Sequence, residues 1–238
     1  MSKKEQVRNM FNGIAGRYDF LNHFLSAGVD YTWRRNVIRI LRKHKPQSIL
    51  DVATGTADLA IAETRLSPEK VVGVDIADQM LDYGRIKIEK KGLNDLITLE
   101  NGDSESLRFE SHSFDAVTVA FGVRNFEDLD RGLREMYRVL NKEGIAVILE
   151  FSKPRKFPVK QLYSFYFRNI LPLMGRLISK HNSAYTYLPE SVGAFPDGKD
   201  FLEHMHAAGF KNTSVKPLTF GIASIYTGKK CVGYPERE

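Results

Sequence analysis

Ser48-Ile49-Leu50-Asp51-Val52-Ala53-Thr54-Gly55-Thr56-Ala57-Asp58 opens as an apolar run ending in an acid, breaks into small residues, and resumes a helical pattern through Leu59, Ala60 and Ile61. That pattern predicts a buried strand, a tight turn and a helix start, the unit that opens a nucleotide site in α/β proteins. Gly55 lets a ligand press against backbone, and the helix N-terminus that follows offers N–H groups to it. Phosphate-binding motifs fit poorly: there is no G-x-x-x-x-G-K-[ST], and with one glycine in the stretch G-x-G-x-x-G is absent as well. On its own such a turn occurs in many α/β proteins.

The segments that follow sharpen it. Lys70-Val71-Val72-Gly73-Val74-Asp75 is a second buried strand ending in an acid, 19 residues after Thr56. This is close to the ~20-residue interval at which a carboxylate grips ribose hydroxyls. A third strand from Leu96 to Glu100 runs into Asn101-Gly102-Asp103-Ser104. Successive strands thus bring acids or small polar groups to one sheet edge, where open α/β sheets bind ligands. An adenosine-containing ligand is expected, and a phosphate-bearing one is disfavoured.

Around this centre the chain alternates strand and helix from 47 to 150, which predicts a parallel sheet with right-handed crossovers. The helix from Asp78 to Lys90 is expected to turn Met80, Leu81, Tyr83 and Ile86 inward. Strand Phe114–Ala120 leads into Phe121-Gly122-Val123-Arg124-Asn125. A helix from Glu127 then buries Leu129, Leu133, Met136, Tyr137 and Leu140 and stops in the turn Asn141-Lys142-Glu143-Gly144, before a strand Ile145–Phe151. Two alternating segments, 211–218 and 222–230, are expected to close the sheet as an antiparallel pair, after a helix from about Asp197 to Ala208.

The flanks differ in character. Residues 1–44 form a helical preface, with Val7, Met10, Phe11, Ile14, Ala15 and Tyr18 at helical spacing and a second helix carrying Trp33, Val37, Ile40 and Leu41. Gly16 to His23 is expected to connect them and suits a lid over a small-molecule pocket. In 157–180, Leu162, Tyr163, Tyr166, Phe167, Ile170, Leu173, Met174 and Leu177 share one helical face opposite Lys160, Arg168 and Arg176, with a kink expected at Pro172. Such a face packs on a core or meets a lipid-like substrate or an anionic bilayer.

Composition sets outer bounds. At 238 residues, 42% hydrophobic and 27% charged, the chain has the make-up of one globular domain. A single cysteine excludes a disulfide framework and fits a reducing cytosol, and the six histidines show no metal spacing. No signal peptide or apolar run of ~20 residues appears, so a cytoplasmic location is expected. The net charge of +6 admits an anionic partner, nucleic acid or membrane, or a plain basic surface; no RNA-binding fingerprint accompanies it, and no nucleic-acid partner is expected.

Five blocks carry a resemblance: Phe11-x-x-Ile14-Ala15-x-x-Tyr18-Asp19-x-x-Asn22, Trp33-Arg34, Leu50-Asp51-x-x-Thr54-Gly55-Thr56-x-Asp58, Phe121-Gly122-Val123-Arg124-Asn125, and Met136 to Leu140 leading to Leu149-Glu150-Phe151-Ser152-Lys153-Pro154. The chain resembles the ubiquinone/menaquinone biosynthesis C-methyltransferases, nearly end to end. It departs at Ala57, where the family usually has glycine, and at Ala120, where some relatives carry serine. The resemblance implies a Rossmann-like class I methyltransferase: a mostly parallel seven-stranded sheet, helices on both faces, an antiparallel last pair. It also implies a single domain over 1–238, with 1–44 a helical lid and 157–196 a helical insertion for the acceptor and its tail. The implied cofactor is S-adenosylmethionine, whose sulfonium has no phosphates and so needs no phosphate loop. Gly55 and Thr56 would hold its methionine end, Asp75 its ribose, and Asp103 and Ser104 its adenine, with Asp51 also among the cofactor-binding residues.

The acceptor would be a prenylated hydroquinone, since a quinone is itself electrophilic, and the reaction would place a methyl on its ring carbon. Tyr18, Asp58, Arg124 and Asn125 are the candidates around it. Asp58 is expected to take the proton, Arg124 to steady the oxyanion, and Asn125 and Tyr18 to orient the ring oxygen. Asp58 could equally serve the helix dipole and Arg124 an ion pair. Demethylmenaquinol is the favoured acceptor over a ubiquinone-pathway benzoquinol. The rivals are another small-molecule methyltransferase, an RNA methyltransferase argued only from charge, a cofactor-binding module without transfer activity, and, weakest, an NAD oxidoreductase. Contact with the inner face of the cytoplasmic membrane is expected; a homodimer is entertained with no residue pattern to carry it.

Overall fold

The computed structural model describes residues 2–26, 28–166, 169 and 183–231. Its helices are α1 (Lys3–Leu25), α2 (Val29–Leu41), α3 (Asp58–Glu63), α4 (Asp78–Lys90), α5 (Leu129–Val139), α6 (Val159–Phe165), α7 (Ser183–Ala194) and α8 (Lys199–Ala207). Its strands are β1 (Ser48–Val52), β2 (Lys70–Asp75), β3 (Ile97–Asn101), β4 (Phe114–Ala120), β5 (Leu140–Phe151), β6 (Lys211–Leu218) and β7 (Ala223–Lys229). They form one sheet in the order β3-β2-β1-β4-β5-β7-β6. β1 to β5 run parallel, and β7 lies antiparallel to both β5 and β6. The chain leaves β1 in one direction to build β2 and β3, then returns to β1's other side with β4. Between β1 and β4 lies the switch point that opens a crevice in such sheets.

Alternation within the strands is muted because both sheet faces are covered. On one face Val37, Leu41, Leu59, Leu81 and Ile88 from α2, α3 and α4 pack against Ile49, Val71 and Val147. On the other, Leu133, Met136, Phe201 and Met205 from α5 and α8 meet Leu50, Val117, Ile148 and Tyr226. The result is helix, sheet and helix in three layers. Asp128 caps α5, its carboxylate accepting from Arg131 N at 2.9 Å.

Several expectations change. Gly16 to His23 lies within α1, which runs unbroken to Leu25; no proline interrupts it, and the break falls just before α2, whose N-cap Gly28 takes φ +74. In α4 the buried positions are Met80, Leu81, Gly84 and Ile88. Tyr83 and Ile86 are 43% and 46% exposed, because ~100° per residue turns them away from that stripe. Asn141 to Gly144 belongs to β5 as a bulge: Leu140 pairs with Phe114, Ile145 with Ala116, and Glu143 takes φ +64 in between. Leu162, on the face expected either to pack on a core or to meet a lipid-like surface, is 64% exposed, so it does not pack on the core. Phe167, Arg168, Ile170, Pro172, Leu173, Met174, Arg176 and Leu177 lie outside the described residues. Among the described residues no helix is long and apolar enough to cross a membrane.

Candidate active site

The loop after β1 is tightly wound. Ala53, Gly55 and Ala57 all have positive φ, at 54, 56 and 65°. Gly55 does so without penalty, whereas the two alanines each store roughly 1–2 kcal/mol. The conformation persists because the surroundings over-determine it. Thr54 N donates to Val74 O at 3.0 Å, and Gly55 N to Asp75 Oδ2 at 2.9 Å. α4 presses so close that a Cβ on Gly84 would lie 3.3 Å from both Thr56 C and Ala57 Cβ.

Above this loop the C-terminal ends of β1 to β4 surround a cleft roofed by Val7, Phe11 and Tyr18 of α1. Gly55, Asp75, Asp103, Ser104, Asn125 and Tyr18 all line it. A Cβ on Gly55 would stand 3.3 Å from Met80 Cε and 3.9 Å from Tyr18 Cε1, so glycine keeps open a notch between these side chains. Asp75 is held from behind by Gly55 N and by Ala77 N at 2.9 Å. Burial pushes its carboxyl above the ordinary range against these bonds. Asp103 accepts from Lys4 Nζ at 2.6 Å and from Glu105 N at 2.9 Å. Lys4 also reaches Glu105 at 3.1 Å, and Lys3 Nζ bonds the carbonyls of Phe126 and Arg124. The start of α1 is thereby fastened to the rim.

Four of the residues expected at the site are placed elsewhere. Thr56 donates to Asp19 Oδ1 at 2.5 Å and accepts from Lys87 Nζ at 3.2 Å, so its hydroxyl belongs to a cluster joining α1, the loop and α4. Asp58 pairs with Lys87 and, at 3.5 Å, with Arg34, away from the cleft lining. These cations satisfy the carboxylate that was expected to accept the acceptor's proton. Arg124 lies just behind Asn125: its guanidinium meets Glu150 Oε1 at 2.7 Å with 6% of the side chain exposed, and Phe151 lies beneath it at 5.4 Å. Its Nε is buried with no hydrogen-bond partner among the described residues. Burial raises the Glu150 carboxyl and Arg124 opposes that rise.

Asp51 sits under the floor, 1% exposed, accepting from Thr54 Oγ1 at 2.7 Å. Thr118 joins it to a second acid that sequence reasoning did not single out, the fully buried Glu63: the Thr118 hydroxyl is 2.7 Å from Glu63 Oε1 and 3.3 Å from Asp51 Oδ1. A hydroxyl donates one proton, so the shorter contact takes it. Burial raises both acids, Asp51 to about 7 with the charge of Asp75 adding, and Glu63 well above the usual range with the charge of Asp51 adding. Lys4, Lys87 and Glu63 carried no pattern that could have marked them, since each acts through a partner far away in sequence.

The arrangement can hold a polar, phosphate-free ligand against two acids, Asp75 and Asp103, with the Asn125 amide and the Tyr18 phenol in the same cleft. Residues 1–230 match the ubiE/COQ5 methyltransferase family. The chain belongs to that family. Within the ubiE/COQ5 family, the demethylmenaquinone methyltransferase of Bacteroides fragilis is 49% identical over 229 residues, spanning 96% of this chain and 94% of its own. The ubiquinone/menaquinone biosynthesis C-methyltransferase UbiE of Geobacter sulfurreducens is 48% identical over 230 residues, 96% of this chain and 90% of its own. Among solved structures, a SAM-dependent methyltransferase from Thermotoga maritima superposes with TM-score 0.65 at 17% identity, covering 94% of this chain and 99% of that one. Phosphoethanolamine N-methyltransferase 2 of Haemonchus contortus, solved with S-adenosylmethionine, gives 0.59 at 14% identity, covering 78% and 49%. These distant likenesses speak for the fold, which is Rossmann-like. Like its family, the ubiE/COQ5 chain is an S-adenosylmethionine-dependent methyltransferase. Its cleft fits that cofactor: the Gly55 notch admits close backbone approach, Asp75 and Asp103 suit a diol and an amino group, and Lys4, the lysine in the lining, is paired with Asp103 and Glu105.

Proposed function

We propose that this chain methylates a ring carbon of demethylmenaquinol to give menaquinol. The observation that carries this reading is the meeting of Asp75, Asp103 and Asn125 in one cleft at the switch point, in a chain 49% identical to a protein named for that reaction. When bound, S-adenosylmethionine supplies a methyl group made electrophilic by positive sulfur.

The chain's own residues do the rest by positioning and charge. Asp75 accepts from the ribose hydroxyls, Asp103 and Ser104 face the adenine, and Gly55 gives backbone access. Tyr18 and Asn125 orient the acceptor's ring oxygen. Arg124 is not assigned the oxyanion, because its guanidinium is paired with Glu150 and does not line the cleft. Asp58 is not assigned the proton: its carboxylate is committed to Lys87 and Arg34, so the acceptor's hydroxyl proton passes to water. Tyr187 is also disfavoured as a base, because burial raises its hydroxyl.

The prenyl tail leaves past residues 157–196. Phe157 and Phe165 are 81% and 59% exposed there, with Arg155, Lys156 and Lys160 exposed alongside, which supports contact with an anionic inner leaflet from the cytoplasm. The whole chain acts as one methyltransferase domain with residues 1–44 as its lid, and a homodimer remains the assembly to test. The deciding assay gives purified protein S-adenosylmethionine with demethylmenaquinol or its benzoquinol counterpart and follows product mass. Methylation of the naphthoquinol supports the proposal; transfer to the benzoquinol alone would move the chain to the ubiquinone pathway, and transfer to neither would overturn it.

A further inference from the structure

Asn125 lines the cleft from the 3-10 turn Val123–Asn125, and its side-chain amide is held at both ends. Its Nδ2 lies 3.4 Å from Phe121 O, an atom that can only accept, which sets the orientation of the amide. Its Oδ1 therefore faces the Tyr187 hydroxyl at 3.0 Å, and Tyr187 must be the donor. One N–H of the amide has no acceptor among the described residues. Tyr187 comes from α7, 62 positions away in sequence, and α7 packs against both α1 and this turn.

We propose that Tyr187 is a positioning residue of the acceptor site, holding the Asn125 amide so that its remaining N–H points to the acceptor's ring oxygen. The inference rests on the reading of Asn125 as an acceptor-orienting residue and extends it to a side chain in another element. Without the Tyr187 hydroxyl the amide can turn over, presenting an oxygen where a developing negative charge needs a donor. Burial favours the role, because it raises the Tyr187 hydroxyl and keeps it a proton donor; Arg124 opposes that rise and Glu150 adds to it.

The test compares wild type with Tyr187→Phe, Asn125→Ala and the double variant, using S-adenosylmethionine and a short-tailed demethylmenaquinol. Tyr187→Phe keeps the ring and its packing and removes only the hydroxyl. Its kcat should fall about tenfold, the scale of one hydrogen bond of ~1.4 kcal/mol, with cofactor Kd unchanged. In the Asn125→Ala background the same change should cost nothing further, because Tyr187 acts through the amide. An unchanged kcat, or a loss that multiplies onto that of Asn125→Ala, overturns the proposal. A second readout does not depend on turnover. In 15N-labelled protein the Asn125 side-chain amide pair should shift in Tyr187→Phe, and an unmoved pair refutes the coupling. Were wild type to methylate no acceptor, the functional reading would fall while the amide signals still judged the Tyr187–Asn125 contact.

Discussion

Two acids beneath the cleft floor carry an energetic consequence. Asp51 and Glu63, 1% and 0% exposed, flank Thr118, and Glu63 Oε2 has no hydrogen-bond partner among the described residues. Folding raises both carboxyls, so the folded chain holds protons that the unfolded chain releases. Stability from this pair is whole below about 4, the ordinary carboxylate value. It is lost as pH climbs through about 7. Glu63→Gln removes one titrating group from the pair. The variant's Tm should therefore gain on wild type between pH 5 and pH 8, by about 2–4 °C for each kcal/mol at this chain size. Melting curves at several pH values check this, and a constant difference would mean that Glu63 titrates alike in both states. Sequence pattern showed Asp51 at a strand end but could not show Glu63, because the acid on α3 looks solvated until β4 is laid beside it.

At the scale of elements, α1 is the piece whose reach was least legible. Its 23 residues extend about 35 Å at ~1.5 Å each, enough to cross all four strand ends. Lys4 fastens one end to Asp103 after β3 and Lys3 fastens it to the turn after β4, while Asp19 fastens the other end to Thr56 and Lys87. The apolar stripe from Val7 to Tyr18 was visible in the sequence, but the polar run after Gly16 resembled a linker. Those polar groups are drawn into the helix because Lys87 of α4, 68 positions away, meets Asp19 at 2.8 Å. Lys87→Met would leave Asp19 and Asp58 without this cation. Amide exchange in the second half of α1 should then quicken about fivefold, the scale of ~1 kcal/mol from part-exposed ion pairs. Exchange in β1 and β4 should not change. Equal protection in variant and wild type would show that apolar packing alone keeps α1 in place.

For the whole molecule, a parallel sheet flanked by helices and ending in an antiparallel pair was legible because strand and helix periods alternate cleanly from 47 to 150 and the last two segments alternate residue by residue. The bulge at Glu143 and the pairing partners of Thr56, Asp58 and Arg124 were not, since each depends on contacts made only when distant strands and helices assemble. That assembly is also what makes a site: Asp75 and Asp103 become neighbours of Gly55 only through the order β3-β2-β1-β4. The central claim is that these strand-end acids grip S-adenosylmethionine. Its most direct test is calorimetric titration of S-adenosylmethionine into wild type and Asp75→Asn, with circular dichroism to verify the fold. The claim predicts saturable binding by wild type and a Kd at least about tenfold weaker in Asp75→Asn, the loss expected when a charged hydrogen-bond acceptor is neutralised. Equal affinity in the two proteins, or no binding by wild type, would contradict it.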